Sequence, residues 1–514
     1  MIDRCASPDW IAQHALWSPG KIATIDLHSG RRWTYAELDG RCERLASFLS
    51  AECGVSVGDR VGVLAHNSTD LFEVQFACPR IGAIFVPLNW RLADAEMRQI
   101  AADAGLSVLI YGPEFAPSAR AVAAASPRLR LVSVRDGAGS DYETGIAEAS
   151  PLPRRAQVRY GDVWTIMYTS GTTGRPKGAM ITYGMVTFSA VNSMMKAGVS
   201  AGSRGLTFLP LFHVGGLYLM AGFIFHAGGT NTVMRSFDPA EALAALSDPE
   251  QRITHVFGVP TNFLMMTQQE GFAAADLSAI ECLLVGGAPC PLSVLRSFAD
   301  KGVRIRQAWG MTETTTLGTM LGADRAVEKL GSSGLPVMHA ELRIEDEDGR
   351  EVPSGAVGQL VIRGPTVTPG YWRNESETAR AFRDGWFLTG DAARIDAEGF
   401  VTIVDRWKDM YISGGENVYP AEVEDVLHRM DGVISAAVIG VPDPKWGEVG
   451  CAYLVTREGV TADAEQVRAY CAAHLARYKL PRHVRVIDSL PLTAAGKVSK
   501  PDLRRLFAAE GEVP

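Results

Sequence analysis

The chain has 514 residues, a length that suits about three domains or subdomains. Apolar residues make up 47% and charged residues 21%, a globular composition that excludes a disordered, collagenous or coiled-coil chain. Fifty basic residues against 58 acidic ones leave a net charge of −8 with no basic block, which disfavours a nucleic-acid partner but is compatible with a local anion site. The N-terminus MIDRCASPDW lacks the apolar core of a signal peptide. Thr34 to Glu37 (TYAE) has capping-box spacing, and the helix it opens puts Leu38, Cys42, Leu45 and Leu49 on one face. GVSVGDRVGVLAHNS reads as a turn and a strand with Val61, Val63 and Ala65 alternating, and FVPLN (Phe85 to Asn89) as a second strand. The segment from Val132 to Asp162, rich in Gly, Ser, Pro and charge, reads as a surface connection.

Strand and helix patterns keep alternating, which predicts α/β architecture. The run Val214 to Phe225 is too short to span a bilayer and reads as a buried helix, so no membrane span is expected. GQLVIRG and VTIVD are strands; beyond Asp405 the pattern changes to a helix from Pro420 to Arg429, the strand AAVIGV, a helix around Ala464 to Arg477 and a polar tail. The domains expected are therefore 1–405 and 406–514, joined by the charged segment DRWKD. The eight cysteines show no CxxC spacing and read as reduced core residues of a cytoplasmic protein.

The densest chemical signal is YTSGTTGRPKG, Tyr168 to Gly178, after the strand VWTIM. Hydroxyls alternating with glycines and followed by Lys177 make a loop able to wrap phosphate oxygens. It is not a Walker A loop, because Gly178 follows the lysine where Ser or Thr is required. LPLFHVGGL sets His213 beside two glycines, a position more often filled by a packed core histidine than a functional one. QAWGMTET supplies Glu313, a hard oxygen donor suited to Mg2+, or an ordinary capped helix start. Asp391 in GWFLTGD and Arg406 in DRWKD, fifteen residues apart, suit ribose hydroxyls or plain surface charge, and Lys497 lies in the Gly-marked loop PLTAAGKVSK.

In order and wording these strings, with SGGENVYPAEVE, resemble the adenylate-forming superfamily of acyl-CoA synthetases, aryl-CoA ligases, luciferases and adenylation domains, from about Trp33 to Arg505. The resemblance implies a large N-terminal α/β domain of several sheets with packed helices and a small mobile α+β C-terminal domain. It also implies two half-reactions: a carboxylate attacks the α-phosphate of Mg-ATP, then a thiol displaces AMP. Carried over residue by residue, Thr169, Ser170, Gly171, Thr172, Thr173, Gly174 and Lys177 cradle the β- and γ-phosphates. Thr312 contacts the α-phosphate and Glu313 the Mg2+. Gly287, Ala288 and Pro289 wall the adenine, with Trp309 stacking and Gly310 and Met311 beside it. Asp391 and Arg406 hold the ribose, and Lys497 reaches the acyl carboxylate and α-phosphate. Lys408 is the hinge about which the small domain rotates between half-reactions. Gly414 and Gly415 line the pantetheine tunnel, and His213 sits by the acyl carboxylate. Arg91, Trp446 and Tyr478 are weaker matches for the CoA nucleotide.

This chain departs from the family pattern at three places: Thr182–Tyr183 after the phosphate loop where His is usual, Trp309 for Tyr, and Gln359 for Glu. About seventeen residues follow Lys497, too few for a fused carrier domain, so CoA is the expected thiol and ATP and Mg2+ the other requirements. The segments expected to line the acid pocket, Phe212 to Leu217, Phe257 to Phe263, Gly286 to Ala288 and Trp309 to Gly318, hold no ionisable side chain besides His213 and Glu313. That favours an apolar monocarboxylate over an amino acid or a diacid. A medium- or long-chain fatty acid is the first expectation, a hydroxycinnamate of the feruloyl type or another aryl acid the second. A catalytically silent adenylate-binding protein is the alternative of another class, disfavoured by retention of Glu313, Asp391, Arg406 and Lys497. Self-association as a homodimer stays open.

Overall fold

A computed structural model describes residues 2–134, 140–169, 176–288, 290–407, 409–413, 416–457, 463–493 and 498–510. The chain forms two compact units: Met1–Glu341 with Ile362–Phe387, and Leu342–Val361 with Leu388–Pro514. The second unit thus takes in two stretches upstream of residue 405, where the sequence places its domain border, and the hinge residue Lys408 lies outside the described residues.

The first unit holds two large sheets. In the nine-stranded sheet the order is Leu335–Pro336, Thr319–Met320, Ile305–Trp309, Cys282–Gly286, His255–Gly258, Arg204–Thr207, Thr230–Val233, Ile22–Asp26 and Arg32–Thr34. The strands from Ile305–Trp309 to Ile22–Asp26 pair in parallel, and only the edges are antiparallel. The central strand CLLVG, buried at every position, reads as a continuous apolar run. The six-stranded sheet runs Arg130–Ser133, Leu106–Tyr111, Arg60–Leu64, Ile84–Pro87, Val163–Thr169, Lys177–Thr182, with only the last pairing antiparallel.

Several local readings hold in detail. Thr34 caps the helix Tyr35–Ala51 in a full capping box with Glu37, and Leu38, Cys42, Leu45 and Leu49 are completely buried. The strand Arg60–Leu64 forms with Val61 and Val63 buried, but the expected alternation does not hold: Gly62 and Leu64 are buried too, and Ala65 lies beyond the strand. Two further expectations need correction. The run Val214 to Phe225 is not one helix: Val214–Leu217 and Ala221–Ala227 are separated at Met220, whose φ of 45° interrupts the helical backbone. The stretch Val132 to Asp162 is not wholly surface connection either. It contains the helix Asp141–Glu148, whose buried Tyr142 hydroxyl donates to Glu73 at 2.8 Å. Arg41 reaches Glu73 and Glu143, so a polar sequence is drawn in because its charges have buried partners.

The five-stranded sheet that includes Gly358–Arg363, Trp386–Ile395 and Val401–Arg406 falls mainly in the second unit. Beyond it a further sheet orders Glu416–Val418, Tyr411–Ser413, Gly447–Thr456 and Val433–Asp443, with His483–Val486 parallel to Gly447–Thr456. The helices Pro420–His428 and Ala464–Ala472 supply Val423, Leu427, Val467 and Cys471 to its core, the α+β pattern expected for this end of the chain. All eight cysteines are free thiols, and no helix among the described residues is long and apolar enough to cross a membrane.

Candidate active site

In the first unit the candidate segments share one edge. Phe208 to His213 follow the strand Arg204–Thr207, Val259 to Phe263 follow His255–Gly258, Gly287 and Ala288 follow Cys282–Gly286, and Gly310 to Glu313 follow Ile305–Trp309. These strands are adjacent and parallel, so their carboxyl ends open on the same side, where open α/β sheets bind ligands. The register pairs Gly286 with Ala308, which makes Gly287 and Trp309 neighbours across the strand ends. Gly287 has φ 82°, the left-handed turn that takes the chain out of its strand. Trp309 is buried, and its ring lies where a Cβ on Gly318 would point. Ala288 is exposed beside this wall, and Pro289 lies outside the described residues.

The phosphate-loop string folds as a hairpin. Val163–Thr169 pairs antiparallel with Lys177–Thr182, and Thr169 stands opposite Lys177. The tip carrying Ser170, Gly171, Thr172, Thr173 and Gly174 lies outside the described residues; its two ends are fixed by this register. A Cβ on Gly178 would lie 2.6 Å from Ile166 Cγ2 and 3.1 Å from Tyr168 Cζ, which is why glycine follows the lysine. Lys177 pairs with Glu377 and lies 5.5 Å from the centre of the Tyr371 ring.

Glu313 sits in the short 3-10 turn Thr312–Thr314, pinned by Met311 N–H on the Thr314 hydroxyl at 3.0 Å. The Thr312 side chain is half-buried, while that of Glu313 is only slightly exposed. The Tyr371 hydroxyl donates to Glu313 Oε1 at 2.9 Å, and Thr368 N–H donates to the Glu313 carbonyl at 2.7 Å. Burial, reinforced by the neighbouring carboxylate, pushes the Tyr371 phenol well above its ordinary pKa, so it stays a donor. Just past the turn Thr315 has φ 65°, a strained backbone for a β-branched residue, held by its hydroxyl on the Thr366 carbonyl at 3.1 Å. The donor set suits a cation that arrives on a polyphosphate. One enclosed carboxylate is presented, and no cluster of three or more His, Cys, Asp or Glu among the described residues forms a cage of its own.

The segment from Thr366 to Glu377, which ties Glu313 to Lys177, went unread in the sequence. A signal exists there: GYW places Gly370 at φ 142°, and Trp372 N–H donates to the Gly178 carbonyl at 2.7 Å, so this stretch splints the hairpin.

His213 is half-buried and leads into Val214–Leu217, accepting Gly216 and Leu217 N–H on its carbonyl, with its ring 4.6 Å from Phe212. The Phe257 ring fills the space beside two glycines: a Cβ would lie 2.9 Å from it at Gly215 and 3.3 Å at Gly286. Arg91 stacks on Trp90 and reaches within 5.9 Å of the Phe212 ring. Of the departures, Tyr183 is a core residue: it stacks on Trp164 at 4.9 Å and 16°, and Thr182 caps its helix. Gln359 is half-buried in its strand.

The second unit carries the other candidates. Asp391, buried, stands directly opposite Arg406 in the antiparallel register of Trp386–Ile395 and Val401–Arg406, so two residues fifteen apart in sequence become cross-strand neighbours. Ser413 pairs with Glu416, leaving Gly414 and Gly415 as the two-residue connection, itself outside the described residues. Lys497 also lies outside them, bracketed by the bridge between Leu492 and Val498. Trp446 and Tyr478 are exposed, each with a lysine over its ring, Lys445 at 4.9 Å and Lys479 at 5.6 Å.

Residues 11–372 match the AMP-binding enzyme family and residues 422–497 the AMP-binding enzyme C-terminal domain. The chain is 42% identical over 498 residues to a feruloyl-CoA synthase of Amycolatopsis sp, covering 97% of this chain and 98% of that one. It is 36% identical over 501 residues to the long-chain-fatty-acid–CoA ligase FadD13 of Mycobacterium tuberculosis, again 97% and 98% of the two chains. Among solved structures it is similar to the o-succinylbenzoate coenzyme A synthetase of Bacillus subtilis in complex with ATP and magnesium ion. That match has a TM-score of 0.88 and 32% identity, and covers 97% of this chain and 100% of that one.

Proposed function

The chain belongs to the AMP-binding enzyme family and is an ATP-dependent, AMP-forming acid–CoA ligase, and from that premise we propose that it activates an apolar monocarboxylic acid through an acyl-adenylate. The observation that carries the reading is the convergence of the site segments on the carboxyl ends of adjacent parallel strands, with the Phe257 ring set against Gly215 and Gly286. In the first half-reaction the acid's carboxylate oxygen attacks the α-phosphorus of ATP, and pyrophosphate leaves. In the second, the CoA sulfur attacks the acyl carbon and AMP leaves with the bonding pair. No protein nucleophile is needed; the protein positions like-charged reactants and stabilises charge growing in the transition state.

Thr169 and Lys177, with the loop between them, hold the β- and γ-phosphates. The Thr312 hydroxyl addresses the α-phosphate. Glu313, oriented by Tyr371, holds Mg2+, which supplies charge neutralisation on the polyphosphate when bound. Gly287, Ala288, Pro289 and Trp309 enclose the adenine, and Asp391 and Arg406 the ribose. Lys497 brings a point charge to the acyl carboxylate and α-phosphate. His213 flanks the acid, Gly414 and Gly415 admit the pantetheine arm, and rotation about Lys408 exchanges the half-reactions.

For the acid, a medium- or long-chain fatty acid and a hydroxycinnamate both suit an uncharged wall. The fixed Phe257 ring between Gly215 and Gly286, together with the likeness to a feruloyl-CoA synthase, favours giving the planar aromatic acid equal weight. The test is pyrophosphate release with Mg-ATP and CoA across fatty acids of rising length, cinnamates and benzoates. Release with a defined chain-length optimum assigns the fatty acid, release with a hydroxycinnamate assigns the aryl acid, and no release with any acid overturns the proposal.

A further inference from the structure

Lys177, the phosphate-loop lysine, is already engaged. It forms an ion pair with Glu377, and the two side chains keep only 15% and 18% of their surface in solvent. The pair is built in from both sides. Asn374 Oδ1 accepts the Glu377 N–H at 3.1 Å and fixes the start of the helix Glu375–Ala381, so the carboxylate is delivered by a capped turn. The Tyr371 ring flanks the ammonium, and Arg380 Nη1 donates to the other carboxylate oxygen, Oε1, at 2.7 Å. Unlike Lys177, Arg380 is 75% exposed.

We propose that Glu377 is an internal competitor for the polyphosphate of the nucleotide: its carboxylate holds Lys177 in the ligand-free enzyme, and a phosphate of ATP must displace it. The inference rests on the assignment of Lys177 to the β- and γ-phosphates. The exchange is cheap because one carboxylate serves two cations. When Lys177 turns to a phosphate oxygen, Glu377 keeps Arg380, and no enclosed charge is orphaned. Once pyrophosphate is formed, the same carboxylate is at hand to reclaim the lysine, which lowers affinity for that product and speeds its release. AMP has no β- or γ-phosphate, so its binding is untouched by the competition.

Calorimetric titration of the purified enzyme with Mg-ATP, pyrophosphate and AMP tests this, using Glu377→Gln, Arg380→Ala and Lys177→Met. Glu377→Gln is expected to tighten ATP and pyrophosphate by about 3- to 5-fold, the scale of a partly enclosed ion pair, with AMP unchanged. Arg380→Ala has the opposite sign: Glu377 then depends on Lys177 alone, and ATP weakens by about 2-fold. Unchanged AMP affinity in each variant shows that the fold is intact. If Lys177→Met loses ATP affinity while Glu377→Gln leaves it unchanged or weaker, the competitor is refuted and the phosphate-loop assignment stands. If Lys177→Met leaves ATP affinity unchanged, both fall.

Discussion

Removing one oxygen, in Tyr371→Phe, isolates the contact that aims Glu313. The hydroxyl donates at 2.9 Å to a carboxylate that is only 6% exposed, so water replaces the donor poorly. A hydrogen bond from a neutral donor to a charged acceptor contributes about 1.5–3 kcal/mol. If half of that is expressed while charge develops on the phosphates, adenylate formation slows by about 3- to 12-fold, each 1.4 kcal/mol being a factor of ten. The backbone of the turn is held separately by Thr368 N–H on the Glu313 carbonyl, so the loss is of side-chain aim and not of the turn. Pyrophosphate release titrated with Mg2+ reads both effects: a lower maximum and a higher Mg2+ requirement. Thioester formation from supplied acyl-adenylate serves as the control, since it needs no polyphosphate-bound cation. A variant whose adenylation rate and Mg2+ requirement both stay within about 2-fold of the parent refutes the argument, and so does equal loss of both half-reactions.

Lys497→Ala should abolish adenylate formation while thioester formation from supplied adenylate survives; equal loss of both sinks the two-conformation mechanism. A pH effect follows from His226, whose imidazole is pushed down to about 4, chiefly by burial and then by His14. Its depressed folded pKa means full stability above the unfolded value of 6.5, lost as pH falls toward 4 because the unfolded chain takes up the proton first. The loss at pH 5 is on the order of 1–2 kcal/mol after allowance for solvent screening. Other buried histidines, His14 and His255 among them, are also pushed down by burial and contribute with the same sign, so urea unfolding at pH 7 and pH 5 should show a smaller loss in His226→Gln than in the parent; identical pH dependence in both removes His226 as a contributor.

Legibility in the sequence followed how local each determinant is. Thr34 and Glu37 declare a helix start because both halves of the capping box lie within one turn. The strand-end segments were readable because each is a short string next to an apolar run, and strand order does the rest. Asp391 and Arg406 were named together for the ribose, but nothing in fifteen residues of spacing states that an antiparallel register sets the two positions opposite each other. Val214 to Phe225 misled because apolar composition records burial and is silent about the backbone break at Met220. Tyr371 and Glu377 escaped for a different reason: each acts through a residue some 58 or 200 positions away, and those contacts leave no periodicity to find.

Gly178 carries one more consequence. In phosphate loops of the Walker type, a hydroxyl placed directly after the lysine ligates the metal, so one loop serves phosphate and cation together. Ile166 and Tyr168 occupy the space such a side chain needs at this position, so the hairpin is barred from that economy. Under the proposed mechanism the cation's ligand therefore has to come from another strand end, at Glu313. Two separable levers result: substitutions in the hairpin shift nucleotide affinity, substitutions around Thr312 to Thr315 shift metal demand, and selection can adjust one without disturbing the other.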